Sequence, residues 1–209
     1  MISSFRYKIN EFFLLFIILP VLFALDFSWW LKAFIGVSGF IYVVYVLLKI
    51  EGKKFKVAPN LDWNTFIRKT LLRFLWIVIV TSLFVYFTND DMLFKVLFSN
   101  WKKWLMYTIM YMLFSVYPQE LIFRTFFFQR YTSLFPKKSL IVFLNATIFA
   151  LAHVFYKNAL VVVITFIGGW LFARTFYRTQ STLMVTIEHI IFGSWLYIIG
   201  MGSMLGFPD

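Results

Sequence analysis

No cysteine occurs anywhere in the 209 residues. That absence excludes a disulfide framework, a thiolate nucleophile and a cysteine-ligated metal. Histidine is almost as scarce, with two in the whole chain, and acidic side chains number nine. No small-residue cleavage site follows the first apolar run, because Leu22-Phe23-Ala24-Leu25-Asp26 fits one poorly. With Arg6 and Lys8 ahead of that run, the N-terminus is expected to be a retained signal anchor rather than a removed peptide. Internal repeats and low-complexity linkers are also missing, so a single domain over 1–209 is expected, with N-terminal membrane helices in 1–100 and a core in 101–200.

What fills the chain is apolar. Hydrophobic residues make up 62% and the mean hydropathy is +0.82, whereas soluble domains hold roughly 45–50% apolar residues. Twenty-nine Phe and eight Trp cannot be hidden in a soluble core of this size. The fold class expected is all-α, a polytopic membrane bundle of about seven helices, with membrane lipid as a partner. The net charge of +11 does not point to nucleic acid. Its basic residues form no single solvated face and sit in short runs between apolar segments, as cytoplasmic loops do.

A spanning helix needs about 20 mostly apolar residues. Runs of that kind predict spans over 12–31, 33–50, 70–88, 104–123, 139–156, 159–177 and 180–200. Between the second and third lies a basic loop, 51–69, in which Asp62 to Ile67 reads as a short capped helix on the membrane surface. Residues 92–100 read as a short interfacial helix, and Phe126 to Phe135 as an interfacial run. With the N-terminus inside, fifteen of the twenty Lys and Arg fall on cytoplasmic segments and five on outer ones. The positive-inside rule therefore predicts a cytoplasmic N-terminus in an integral membrane protein, most simply of a bacterial cytoplasmic membrane.

Polar residues inside apolar runs carry the chemistry. Glu120 and Arg124 stand four apart, so on a helix they share a face and can pair. A bare charge at the bilayer centre costs about 2.5–3.5 kcal/mol on insertion scales, so such residues pair or work. His153 and His189 fall in two further predicted spans. One shared hydrated pocket is the economical home for all four. Asn145, Phe149 and His153 lie along one helix face, and Thr182, Thr186, His189 and Gly193 trace a polar or small stripe on the last span. Gly168 and Gly169 permit close backbone approach.

Gln119-Glu120-x-x-x-Arg124, then Phe149-x-x-x-His153, then His189 on a later helix, resembles the CPBP family of intramembrane endopeptidases. That family includes the type II CAAX prenyl proteases and the bacteriocin-processing and abortive-infection proteins. The resemblance covers about residues 104–200. Carried over position by position, it implies action on a membrane-anchored or lipid-modified peptide or protein with His153 and His189 in the catalytic set, Glu120 and Arg124 as a supporting pair, and Gln119, which cannot act as a base, at the position of the activating residue. Two positions depart from the family pattern. Gln119 stands where the family has a first Glu, the residue usually assigned to activate water. Gly193 stands four after His189, where the family often has an Asn.

Two carboxylates remain open as the base, Glu120 and Glu188. In the first reading, a water between one of them and His153 attacks the substrate carbonyl, while His189 and Asn145 stabilise the oxyanion or hold the water. No cofactor is required by this scheme, although two His and a carboxylate would also match a three-ligand site for a divalent metal such as zinc. The alternative reading is a catalytically silent relative that binds and regulates a partner membrane protein. A small transporter with a midplane ionisable site would also explain the buried charges, but no repeat supports it.

Overall fold

The computed structural model describes residues 2, 4–53, 60–99 and 101–207. Lys54 and Lys56 of the basic loop, Asn100, and the last two residues of the tail lie outside the described residues. In lipid, every backbone donor and acceptor has to be satisfied within the protein, and a helix does this along its own length. No strand occurs among the described residues. In chain order we define α1 (Phe5–Ala24), α2 (Trp29–Ile50), α3 (Trp63–Met92), α4 (Trp101–Tyr111), α5 (Lys138–Tyr156), α6 (Ala159–Thr179) and α7 (Thr182–Met201). All but α4 are long and apolar enough to cross a membrane. The all-α polytopic reading is borne out, with six such helices among the described residues where about seven were expected.

The difference lies at the expected fourth span, 104–123. There α4 is followed by two π-helical segments, Met112–Val116 and Leu121–Phe126, on either side of Tyr117–Glu120. Pro118 has no N–H to give the ladder and crowds the carbonyl one turn back. Wider π turns arise where the ladder is interrupted in this way.

The first hairpin also differs from expectation. The chain turns at residues 25–28, so Trp29 and Trp30 open α2 instead of closing α1. Asp26 therefore lies in the turn, where it accepts from Lys157 Nζ at 3.1 Å. The segment Asp62 to Ile67 is capped as expected, but it is the start of α3 and not a separate helix: Asp62 Oδ1 accepts from the Thr65 N–H at 3.0 Å.

The chain divides into two compact units, one of Met1–Val57 with Gln119–Thr182, the other of Ala58–Pro118 with Leu183–Asp209. In the first, Arg130 is fully buried and each of its three nitrogens donates. Its Nε donates to Glu11 at 2.7 Å, Nη1 to Glu51 at 2.8 Å, and Nη2 to the Ile2 carbonyl at 2.7 Å. Tyr131 and Tyr42 also donate to Glu11. Burial works against the Arg130 charge, but the hydrogen bonds from Glu11 and Glu51 outweigh it and raise its pKa. Within the run Phe126 to Phe135, Phe126, Phe127, Phe128 and Tyr131 are buried in the core of this unit. Phe12 and Phe16 of α1 pack edge-on against them. With lipid as apolar as the core, such packing contacts and the charge network hold the unit, because burial alone gains little.

α5 and α6 complete the first unit. Asn158 caps α6 by accepting from the Leu160 and Val161 N–H groups. Of the two adjacent glycines, Gly169 is the one at the crossing: a Cβ there would stand 3.2 Å from the Ala146 Cα, while at Gly168 it would touch only the Phe172 ring at 3.4 Å.

In the second unit, Phe74 stacks on Phe192 at 6.2 Å, and Trp195 Nε1 donates to Thr81 Oγ1 at 2.9 Å, tying α3 to α7. The long apolar side chains that remain exposed, Trp76 and Phe87 of α3 among them, are what a lipid-facing surface requires.

Candidate functional site

Four of the five residues read from the sequence lie in the first unit, and a chain of contacts links three of them. Glu120 and Arg124 are both fully buried, and Arg124 Nε lies 3.4 Å from Glu120 Oε2. The i, i+4 pairing expected from spacing is present. The Arg124 guanidinium lies over the Phe149 ring at 4.6 Å and near the Phe172 ring at 5.7 Å. Such placement gives a buried cation a second, electrostatic partner in the ring face. The Phe149 ring in turn lies 4.7 Å from the His153 imidazole. A carboxylate, a guanidinium, an aromatic ring and an imidazole therefore follow one another in direct contact. Gln119, half-buried, precedes Glu120 on the same short helix.

His153 sits just past the last α-helical turn of α5, at φ −105° and ψ 0°. Its Nδ1 lies 2.7 Å from the Phe149 carbonyl oxygen. A carbonyl only accepts, so Nδ1 carries the hydrogen and a neutral ring keeps its lone pair on Nε2. The end of the helix thus fixes the tautomer and aims the ring.

Asn145, read from the sequence as a candidate to hold the oxyanion or the water, sits on α5 in the first unit. It is fully buried, and its Nδ2 donates at 2.5 Å to the Phe123 carbonyl within the π segment. A π turn frees carbonyls from the regular ladder, and the Asn145 amide takes one of them.

His189 and Glu188 belong to α7 in the second unit. Glu188 is fully buried and accepts from Arg73 Nη1 at 2.5 Å. It is thus held as half of an ion pair between α3 and α7. His189 is 7% exposed, and the Tyr111 ring meets it edge-on at 6.0 Å. Tyr111 was not singled out from the sequence; one of eleven tyrosines in an aromatic chain carries no local signal. Among the described residues no three His, Asp or Glu side chains are grouped as a metal ion would require. No step is assigned to a metal.

Residues 100–195 match the family described as type II CAAX prenyl endopeptidase Rce1-like. The matched segment contains Gln119, Glu120, Arg124, His153, His189 and Gly193, so the resemblance read from those motifs is borne out there. No curated protein and no solved structure matches the chain.

Proposed function

We propose, from that family match, that this integral membrane protein is an intramembrane endopeptidase that cuts membrane-anchored or lipid-modified peptides. The observation that supports it most is the contact chain from Glu120 through Arg124 and Phe149 to His153, inside a segment that matches a protease family. Glu120 takes the proton of the attacking water as general base, and Arg124 balances its buried charge. His153, anchored through Nδ1, offers Nε2 to hold that water. Gln119 supplies an amide that orients and does not accept a proton. The distribution of Lys and Arg supports a cytoplasmic N-terminus in a bacterial cytoplasmic membrane.

A general base contributes about 10²–10⁴-fold to rate. The test is a prenylated peptide cleaved by the full chain in proteoliposomes, with products identified by mass spectrometry. The reading expects a cut by the wild type and a loss of about 10²–10⁴-fold in Glu120→Gln measured on protein that stays folded in detergent, although its melting temperature falls because one partner of a buried pair is removed. A Glu120→Gln variant that cuts at the wild-type rate overturns it.

A second reading is favoured by one observation: Glu120 is engaged by Arg124, and the residue beside it is Gln119. Under that reading the chain is a silent relative that binds a membrane-anchored partner. It expects saturable binding of the same peptide by wild type and Glu120→Gln alike, with no product from either.

A further inference from the structure

The carboxylates of the first unit are Glu11, Asp26, Glu51 and Glu120. Each is already engaged: Glu11 and Glu51 by Arg130, Asp26 by Lys157, and Glu120 by Arg124. Basic side chains outnumber them, and four gather at one end of the α5–α6 hairpin, where α5 begins and α6 ends. Lys137 is the N-cap residue of α5 and Lys138 its first residue. Arg174 and Arg178 are i, i+4 neighbours in the last turns of α6. The Lys138 ammonium lies 5.0 Å from the centre of the Tyr177 ring, which brings the start of α5 against the end of α6. Lys137, Lys138, Arg174 and Arg178 are all exposed, and none of them pairs with a carboxylate among the described residues.

The two arginines do not belong to a loop. Val163, Ile167, Arg174 and Arg178 fall along one exposed stripe of α6, apolar at one end and cationic at the other. Beside it on α5, exposed Phe143 meets Phe166 of α6 edge-on at 5.9 Å, so the apolar part of the surface continues across both helices. Arg174 stands more than a turn before Thr179, the last residue of α6, on this lipid-facing stripe. A cation there is unfavourable unless its long side chain reaches the interface and an anion meets it. The unit has no carboxylate left to serve. A phospholipid of net negative charge matches both parts of the surface. Its phosphodiester oxygens suit the planar fork of arginine, and its acyl chains suit the apolar stripe.

We propose that this end of the α5–α6 hairpin is a binding site for an anionic phospholipid. The phosphodiester accepts from Arg174 and Arg178, Lys137 and Lys138 add positive charge beside it, and the acyl chains lie along Phe143 and Ile167. Phosphatidylglycerol is the simplest lipid of that chemistry. Phosphatidylcholine carries the same phosphate but balances it with its own cation, and it is held more weakly. The site lies wholly within the first unit and does not depend on whether the chain cuts a peptide.

The experiment titrates the full chain in neutral detergent with dioctanoyl phosphatidylglycerol and, separately, dioctanoyl phosphatidylcholine, counting bound lipid by native mass spectrometry. Wild type is expected to bind the phosphatidylglycerol more tightly. A Lys or Arg near an anionic lipid contributes about fivefold in affinity. Arg174→Gln is therefore expected to weaken phosphatidylglycerol about fivefold, and Arg174→Gln with Arg178→Gln about 25-fold. Changing Lys137 and Lys138 to Gln as well is expected to leave no preference between the two lipids. Changing Arg6, Lys8, Lys49 and Arg68 to Gln removes the same charge elsewhere and is expected to leave the preference at its wild-type size. Arg174→Gln alone carries the test if the combined variant fails to fold, because it alters one exposed side chain. Equal binding of the two lipids by wild type, or an equal loss in both charge-removal sets, overturns the proposal. Displacement of the lipid by inorganic phosphate also overturns it, since the site would then be one for bare phosphate.

Discussion

Arg73 of α3 donates to Glu188 of α7 at 2.5 Å, and the carboxylate it meets is fully buried. The pair gives Glu188, which the sequence left open as a second candidate base, a structural partner. It is a helix-to-helix tie within the second unit. Removing one partner of a buried pair leaves an uncompensated charge and costs about 3–5 kcal/mol, whereas replacing both by apolar groups is often neutral or better. Arg73→Ala is therefore expected to lower the detergent melting temperature sharply. The double variant Arg73→Met with Glu188→Met is expected to recover most of the loss. Thermal unfolding of the three proteins checks this, and a double variant as unstable as Arg73→Ala would remove the ion-pair account.

Arg130 makes three directed contacts from one planar guanidinium, to Glu11, Glu51 and the Ile2 carbonyl. A lysine ammonium has the charge but not the fork that spans them. Arg130→Lys is expected to behave more like Arg130→Ala than like wild type, with a loss of roughly 3 kcal/mol or more. Comparing denaturation midpoints of the two variants measures it directly.

Asp62 caps α3 through the Thr65 N–H. The hydrogen bonds from Thr65 hold its carboxyl below the ordinary carboxylate range. A depressed pKa in the folded state means the cap is fully present above the unfolded-state pKa and is lost as pH falls through the folded value. The protection factor of the Thr65 amide, its slowing relative to unstructured chain at the same pH, should therefore be high at neutral pH and fall only in acid below that range. Asp62→Ala should show low protection at every pH, and a pH-independent protection factor in the wild type would contradict the capping role.

Much of the fold was legible because a lipid-spanning helix leaves a long apolar run. The bounds of α5, α6 and α7 fall within a few residues of those runs. The Glu120–Arg124 pairing was legible for a similar reason, since i, i+4 geometry is local. The Arg130 network was not. Glu11 lies one residue before the first expected span, and its partner is 119 residues away in sequence. Hydropathy does not distinguish a π turn from an α turn either. Pro118 was the one local sign within the fourth run, and the Phe123 carbonyl that accepts from Asn145 lies in the π segment after it. Gly193 was read as a missing side chain. The structure shows that its lack of a Cβ is what admits Tyr111, and that relation exists only across helices.

If Glu120 and not its neighbour is the base, two single substitutions measured side by side reveal it. Initial rates on a prenylated peptide in proteoliposomes would be compared for wild type, Glu120→Gln and Gln119→Glu. The account predicts measurable cleavage by the wild type, a fall of about 10²–10⁴-fold in Glu120→Gln, and a higher rate in Gln119→Glu, where a second carboxylate joins an intact site. A wild type that cuts nothing, with cleavage appearing only in Gln119→Glu, would contradict it and leave the protein a silent member of a protease-like fold.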